Sequence, residues 1–200
     1  QGACNGRLLE LSTGRLLMPI GTEWRDGPQN VLAAYSDDTG ETWKLSRNSV
    51  SIPKGATEPA AFERKDGTVV FMLRTRLGTI FAAETADGGE TFSEPYDTGL
   101  ESPSAPCAVG RIPTSGDILL VWNKSRLVRT PLTTAISRDE GKTWGNVKDI
   151  EPDLRFAYMY PSLAFDGDMV LILYSLSGVP ATWYNTSLKL ACVPYGWFYR

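Results

Sequence analysis

Three short stretches, Ser36–Trp43 (SDDTGETW), Thr85–Phe92 (TADGGETF) and Ser137–Trp144 (SRDEGKTW), share one pattern and decide the fold. Each has the form S/T-x-D-x-G-x-T-W/F, and successive copies start 49 and 52 residues apart. The Asp carboxylate and the hydroxyl groups can bond nearby backbone N–H groups and close a tight turn, while the Gly permits a positive φ. The aromatic residue is expected to wedge into the core. The pattern therefore predicts repeated folding devices, called Asp boxes below, rather than ligand contacts.

Short runs of β-favouring residues surround the boxes. Four runs follow turn residues, at 15–20, 68–73, 117–122 and 169–174. Three more lead into the boxes, at 31–35, 79–83 and 132–136. Asn123 is predicted to be part of the blade core or the end of a strand, and the aromatic tail 195–199 is predicted to be a closing strand. A period near 50 residues with about four strands per unit predicts an all-β fold built from about four blades of a β-propeller.

Composition excludes several classes of function. The chain has 20 Lys and Arg residues against 23 Asp and Glu, a net charge of −3, so no nucleic-acid partner is expected. No apolar run approaches the roughly 20 residues of a membrane span, and none is expected to cross a membrane. The absence of histidine excludes Ser-His-Asp and Cys-His catalysis and histidine-bearing zinc sites. The three cysteines form no C-x-x-C pair, so neither a metal site nor a redox motif is expected. No cofactor is expected either.

The boxes and their spacing resemble those of the sialidase (neuraminidase) superfamily, over nearly the whole chain. The resemblance implies a six-bladed β-propeller in which the boxes lie away from the active site. It also implies four site residues, which occur here in the order of the family. Glu58 precedes a strand that ends in Arg74, Arg129 lies eight residues before the box residue Ser137, and Tyr160 begins a Y-P-S-L stretch.

The resemblance implies a role for each of these residues. Arg74 and Arg129 would bind the carboxylate of a sialic acid, because a guanidinium is a planar, permanently charged fork. Sialidases use a Tyr nucleophile, here Tyr160. A free phenol has a pKa of about 10 and needs a neighbouring base, here Glu58. The expected activity is exo-hydrolysis of a terminal sialic acid, or a related acidic sugar, with retention of configuration.

Simpler interpretations exist for each of these residues, and other functions exist for the chain. Glu58 could close a turn before Pro59, Tyr160 could be an ordinary strand aromatic, and Arg129 could be a solvated strand residue. Arg74 and Arg76 are close in sequence, so either could be a surface charge. Two other functions also remain open: a lyase or hydrolase acting on uronic acids, which the same arginines would bind, and a non-enzymatic propeller that binds glycan or protein.

One part of the resemblance fails. The family's first arginine sits in an R-I-P motif on the first blade, but the chain has Arg-Ile-Pro only at 111–113, after Glu58. Asp26, ten residues before the first box, loosely suits the acid. The simplest account is a single domain over residues 1–200 that lacks two N-terminal blades. Open sheet edges would then make the chain self-associate or pair with the missing blades. Family habit implies secretion or the periplasm.

Overall fold

The computed structural model describes residues 2–3, 8–22, 29–179 and 185–200, and its regular structure is almost entirely β-strand. The predicted all-β class is therefore confirmed. The chain divides into two compact units, residues 1–100 and 101–200, and each is described by itself. The single domain over residues 1–200 stays a prediction. No helix in the described part of the chain has the length and apolarity that would let it span a membrane.

The first sheet of unit 1 has six strands, of which the two longest form a hairpin. Its strands are β1 (Gly2–Ala3), β2 (Leu9–Glu10), β3 (Leu16–Gly21), β4 (Asn30–Ser36), β5 (Lys44–Leu45) and β6 (Val50–Ser51). They run in the order β1-β3-β4-β5, with β2 paired to β3 and β6 to β4. Strands β3 and β4 are antiparallel, and Leu16 faces Ser36. The predicted strands at 15–20 and 31–35 thus lie within one residue of the observed ones.

The second sheet of unit 1 is a four-stranded antiparallel blade. It comprises β7 (Ala56–Glu63), β8 (Val69–Thr75), β9 (Thr79–Thr85) and β10 (Tyr96–Glu101), in the order β10-β9-β8-β7. Strand β8 is apolar along nearly its whole length. Every residue of β8 is buried except Arg74, which is partly exposed. Leu17, Val31, Phe71 and Leu73 contribute to the core of unit 1.

Unit 2 contains two further sheets. The first comprises β11 (Ala108–Arg111), β12 (Ile118–Asn123), β13 (Leu132–Ser137) and β14 (Gly145–Glu151), in that order. The second comprises β15 (Phe156–Asp166), β16 (Met169–Gly178) and β17 (Thr186–Pro194), also in chain order. Strand β12 is buried along its whole length and ends at Asn123, as predicted.

The aromatic tail differs from its prediction. Tyr195–Tyr199 forms a 3₁₀ helix, η1, rather than a closing strand. Tyr195 and Phe198 are buried in the core of unit 2. The carbonyl of Trp197 accepts a hydrogen bond of 2.6 Å from the Lys148 ammonium. The tail therefore covers the core with its rings instead of extending the sheet.

The Asp boxes have the predicted hydrogen bonds. In the first box, Ser36 Oγ donates to Asp38 Oδ1 at 2.7 Å, and Thr42 donates to both carboxylate oxygens. The N–H of Gly40, at φ +95°, donates to Ser36 Oγ at 2.9 Å. The boxes at 85–92 and 137–144 repeat these bonds. Their Asp residues are consequently engaged in closing turns.

The predicted aromatic wedge is right for one box and wrong for another. Phe92 is buried and meets Phe71 edge-on, with ring centroids 4.8 Å apart. Trp43 is 39% exposed, so it does not wedge into the core. Its indole N–H instead donates to the carbonyl of Gly40 at 3.0 Å, which holds the ring over its own turn.

Candidate active site

Glu58 lies in a β-bulge of β7. Thr57 faces Arg74 and Ala60 faces Met72, so Glu58 and Pro59 together oppose the single residue between those partners. A bulge of this kind bends its strand and re-aims the side chain of the extra residue. Proline suits the position because it has no N–H to contribute to the ladder.

Tyr160 lies in the same kind of bulge in unit 2. Met159 faces Ser175 and Ser162 faces Leu173, so Tyr160 and Pro161 together oppose one residue of β16. The two bulges therefore match residue for residue, with Tyr160-Pro161 standing where β7 has Glu58-Pro59. In both strands the bulge residue is followed by a proline, and a turn glycine, Gly67 or Gly167, comes a few residues later. This repeated pattern in the sequence could have revealed the equivalence.

Both bulge residues have strained backbones. Their φ angles are +42° for Glu58 and +54° for Tyr160. Among the described non-glycine residues, positive φ inside a strand is otherwise found at Asn146, a residue type that tolerates it well. Such strain costs on the order of 1–3 kcal/mol per residue and clusters at functional sites. The two bulges are thus the best structural candidates for reactive positions.

In unit 1, Glu58 is ion-paired with Arg74. A guanidinium N–H of Arg74 donates to Glu58 Oε2, and the two side chains are only 16% and 19% exposed. The bulge is also packed closely from β3: a Cβ on Gly21 would lie 3.0 Å from Thr57 Oγ1 and 3.4 Å from the Glu58 nitrogen. Glu58 is therefore held at both its backbone and its carboxylate.

In unit 2, Arg129 lies against Tyr160. Arg129 is in the turn between β12 and β13 rather than in a strand. Its guanidinium carbon is 5.6 Å from the centroid of the Tyr160 ring, within range of a cation–π attraction. One guanidinium N–H donates to the carbonyl of Ser104 at 2.9 Å, and the carbonyl of Arg129 accepts from the N–H of Tyr158 at 2.8 Å.

The four main candidates thus form two pairs, each within one unit. Arg76 follows the end of β8, in an exposed turn. Asp26, the loosely suggested acid, lies outside the described residues. In the described part of the chain, no group of three or more His, Cys, Asp or Glu side chains could hold a metal ion.

Residues around the Tyr160 bulge were missed by the sequence reasoning. Tyr174, the residue of β16 that opposes the bulge, is buried and donates a hydrogen bond to Glu151, which also binds Lys189. Burial, followed by the hydrogen bond to Glu151, raises the pKa of Tyr174. The Asn123 amide donates to the carbonyl of Tyr158 in β15, the strand that contains the bulge. No local sequence signal distinguishes Asn123 from an ordinary strand end.

The sequence profile of the BNR repeat-like domain family matches residues 1–172. A curated sialidase of Bacteroides fragilis (strain YCH46) is 27% identical over 196 residues, which are 92% of this chain and 35% of that protein. The chain therefore spans about a third of the length of this relative. These matches confirm the resemblance to sialidases that the boxes predicted.

Solved structures share the fold. A point mutant of the NanB sialidase of Streptococcus pneumoniae has a TM-score of 0.77 at 22% identity, over 96% of this chain and 31% of that one. Trypanosoma rangeli sialidase in complex with 2,3-difluorosialic acid, described as a covalent intermediate, has a TM-score of 0.73 at 19% identity, over 95% of this chain and 30% of that one. The predicted β-propeller class is confirmed by this likeness.

Proposed function

Because the chain belongs to the BNR repeat-like domain family, we propose that it is part of an exo-glycosidase that hydrolyses a terminal sialic acid or a related acidic sugar. Tyr160 is the nucleophile and Glu58 the base, while Arg74 and Arg129 bind the sugar carboxylate. The carbohydrate substrate is the expected partner, and no cofactor takes part. The proposal applies to the whole protein, because this chain covers only 35% of the length of the related sialidase.

One observation carries the proposal: two matching bulges each present a strained residue beside an arginine. The strained residues are a carboxylate and a phenol, which are the base and the nucleophile that a sialidase needs. The arginines supply the charge that complements the substrate carboxylate. An ordinary turn-closing glutamate or strand tyrosine would not require this backbone strain.

The chemistry follows from the residue types. Glu58 takes the phenol proton as the Tyr160 oxygen attacks the anomeric carbon and the bond to the leaving oxygen breaks. The leaving oxygen takes a proton from an acid, for which Asp26 is the candidate in this chain. Water, whose proton passes to the carboxylate that the acid has become, then displaces the tyrosine from the anomeric carbon, and Glu58 returns its proton to the phenol. Two displacements at one carbon give retention of configuration.

The test is hydrolysis of a fluorogenic sialoside by the full-length protein. Tyr160→Phe should lower kcat by at least about 10³-fold, as expected when a nucleophile is removed. Glu58→Gln should lower it about 10²–10⁴-fold. The double variant should be little worse than Tyr160→Phe alone, because residues that act as a unit are not additive.

The chain offers a matched control. The Tyr96 hydroxyl donates to Glu84 at 2.7 Å, a tyrosine–carboxylate pair in the second sheet of unit 1. Tyr96→Phe should leave kcat unchanged. No hydrolysis of the sialoside by the intact protein would refute the proposal. A fluorogenic uronide assayed in parallel separates the alternative in which the arginines bind another acidic sugar.

A further inference from the structure

Asn123 is a buried amide at the end of β12. The residue is 1% exposed, and its side-chain nitrogen donates to two backbone carbonyls, that of Pro131 at 3.3 Å and that of Tyr158 at 3.2 Å. These carbonyls belong to two separate segments of unit 2. One side chain therefore connects the turn before β13 to strand β15.

The two segments carry Arg129 and Tyr160. Pro131 follows Arg129 by two residues, and Tyr158 precedes Tyr160 by two. The N–H of Tyr158 donates to the carbonyl of Arg129 at 2.8 Å, so the segments also bond directly. Asn123 adds a bridge from a third, fully buried strand, which anchors the junction to the core of the sheet.

The chemistry of the amide explains the residue type. Its nitrogen carries two N–H donors, one for each of the two carbonyls. Aspartate would place acceptors against these acceptors, and leucine would leave both carbonyls without that donor. Asn123 Oδ1 is itself buried and has no hydrogen-bond partner among the described residues. A polar side chain is therefore kept in the core although one of its own atoms is not satisfied.

We propose that Asn123 is a positioning residue that holds the Arg129 guanidinium and the Tyr160 phenol in one fixed geometry. The inference rests on the proposed function for the roles of these two groups. The guanidinium carbon lies 5.6 Å from the ring centroid, and both groups are on irregular backbone, a turn and a bulge. Because irregular backbone has few ladder bonds of its own, its position depends on side-chain bridges such as this one.

The main test is Asn123→Asp in the full-length protein, with the sialoside as substrate. A displacement of about 1 Å between reacting groups can lower a rate about 10²-fold. We expect kcat to fall by that order while KM changes little. A purely structural role would lower the melting temperature and leave kcat unchanged well below it. Asn123→Ser, which keeps one donor, is measured beside it and should retain more activity, and it replaces Asn123→Asp if that variant does not fold.

Asn48 provides the matched control. Its amide donates to the carbonyl of Phe92 at 3.0 Å and accepts from the N–H of Phe92 at 2.9 Å, so it too bridges two segments, but in unit 1. Asn48→Asp should leave kcat unchanged. Equal losses of kcat in the Asn48 and Asn123 variants would overturn the proposal.

A second readout does not depend on turnover. With 3-fluorotyrosine incorporated at position 160, the fluorine resonance reports the charge held over the ring. Arg129→Lys calibrates the shift that follows when the guanidinium is lost. Asn123→Asp should move the resonance in the same direction, and Asn48→Asp should not. An unmoved resonance in the Asn123 variants would refute the positioning role, whereas a sialoside that the wild type does not cleave would refute only the proposed function.

Discussion

Gly89 of the second Asp box is the position where a single methyl group should be most costly. Its φ is +95°, and a Cβ there would lie 2.3 Å from Leu17 Cδ1 and 3.4 Å from the Ala33 Cβ. Leu17 is fully buried in the core of unit 1, at 0% exposure. Gly89→Ala therefore adds both backbone strain and a steric clash.

The two costs can be estimated separately. A non-glycine residue in left-handed backbone loses about 1–2 kcal/mol. Carbon atoms pack at about 3.5–4.0 Å, so the contact with Leu17 is more than 1 Å too short. Overpacking of a core costs about 1–3 kcal/mol when the neighbours cannot move aside. Gly89→Ala should therefore lower the free energy of unfolding by about 2–5 kcal/mol.

Gly14 and Gly67 isolate the first cost. Their φ angles are +84° and +85°, and no atom of the described residues lies within 4 Å of an added Cβ. Gly14→Ala and Gly67→Ala should each lose only about 1–2 kcal/mol. Urea unfolding followed by tryptophan fluorescence measures all three, as shifts of the midpoint at constant slope.

A fourth variant tests the clash itself. Leu17→Ala alone should cost about 2–5 kcal/mol, because it leaves a cavity. Combined with Gly89→Ala it should cost less than the sum, since the cavity accepts the new methyl group. The reasoning is refuted if Gly89→Ala is no worse than Gly14→Ala, or if the double variant is simply additive.

Three other predictions concern pH, a buried network and association. Hydrogen bonds within its own box, first that from the Thr143 hydroxyl, lower the pKa of Asp139 from 3.8 to about 2. The stabilisation that the ionised carboxylate provides is therefore complete above about pH 4 and is lost as the pH falls towards 2. Asp139→Asn should make stability less dependent on pH in this acid range, and an unchanged dependence would contradict the prediction. Tyr174→Phe removes the hydrogen bond to Glu151 and should cost about 1–3 kcal/mol in urea unfolding; no loss would show that the bond contributes nothing. Leu188 and Leu190 are 72% and 54% exposed on β17, so the 200-residue chain should self-associate. The double variant Leu188→Lys, Leu190→Lys should elute later than the wild type on size-exclusion chromatography. A monomeric wild type would refute the prediction.

The strands and boxes were predictable because the interactions that form them are local. In the first box, the bonds of Asp38 reach no further than Thr42, so eight residues of sequence contain the whole turn. The strand at Val69–Thr75 was likewise evident from its apolar run after a turn. Errors arose where a distant partner decides the outcome. Trp43 and the tail 195–199 carry rings suited to a core, but only the packing of other segments determines which rings are buried.

The sequence by itself determined the repeat, the all-β class and, through resemblance, which residues are candidates for the site. It could not place Arg129 over the ring of Tyr160, match the bulges at Glu58 and Tyr160, or reveal the bridge made by Asn123. Those features depend on the register between strands and on hydrogen bonds such as that from Asn123 to Tyr158, 35 residues away. A box is encoded by neighbours along the chain, whereas a site is assembled by neighbours in space, which only the tertiary structure supplies.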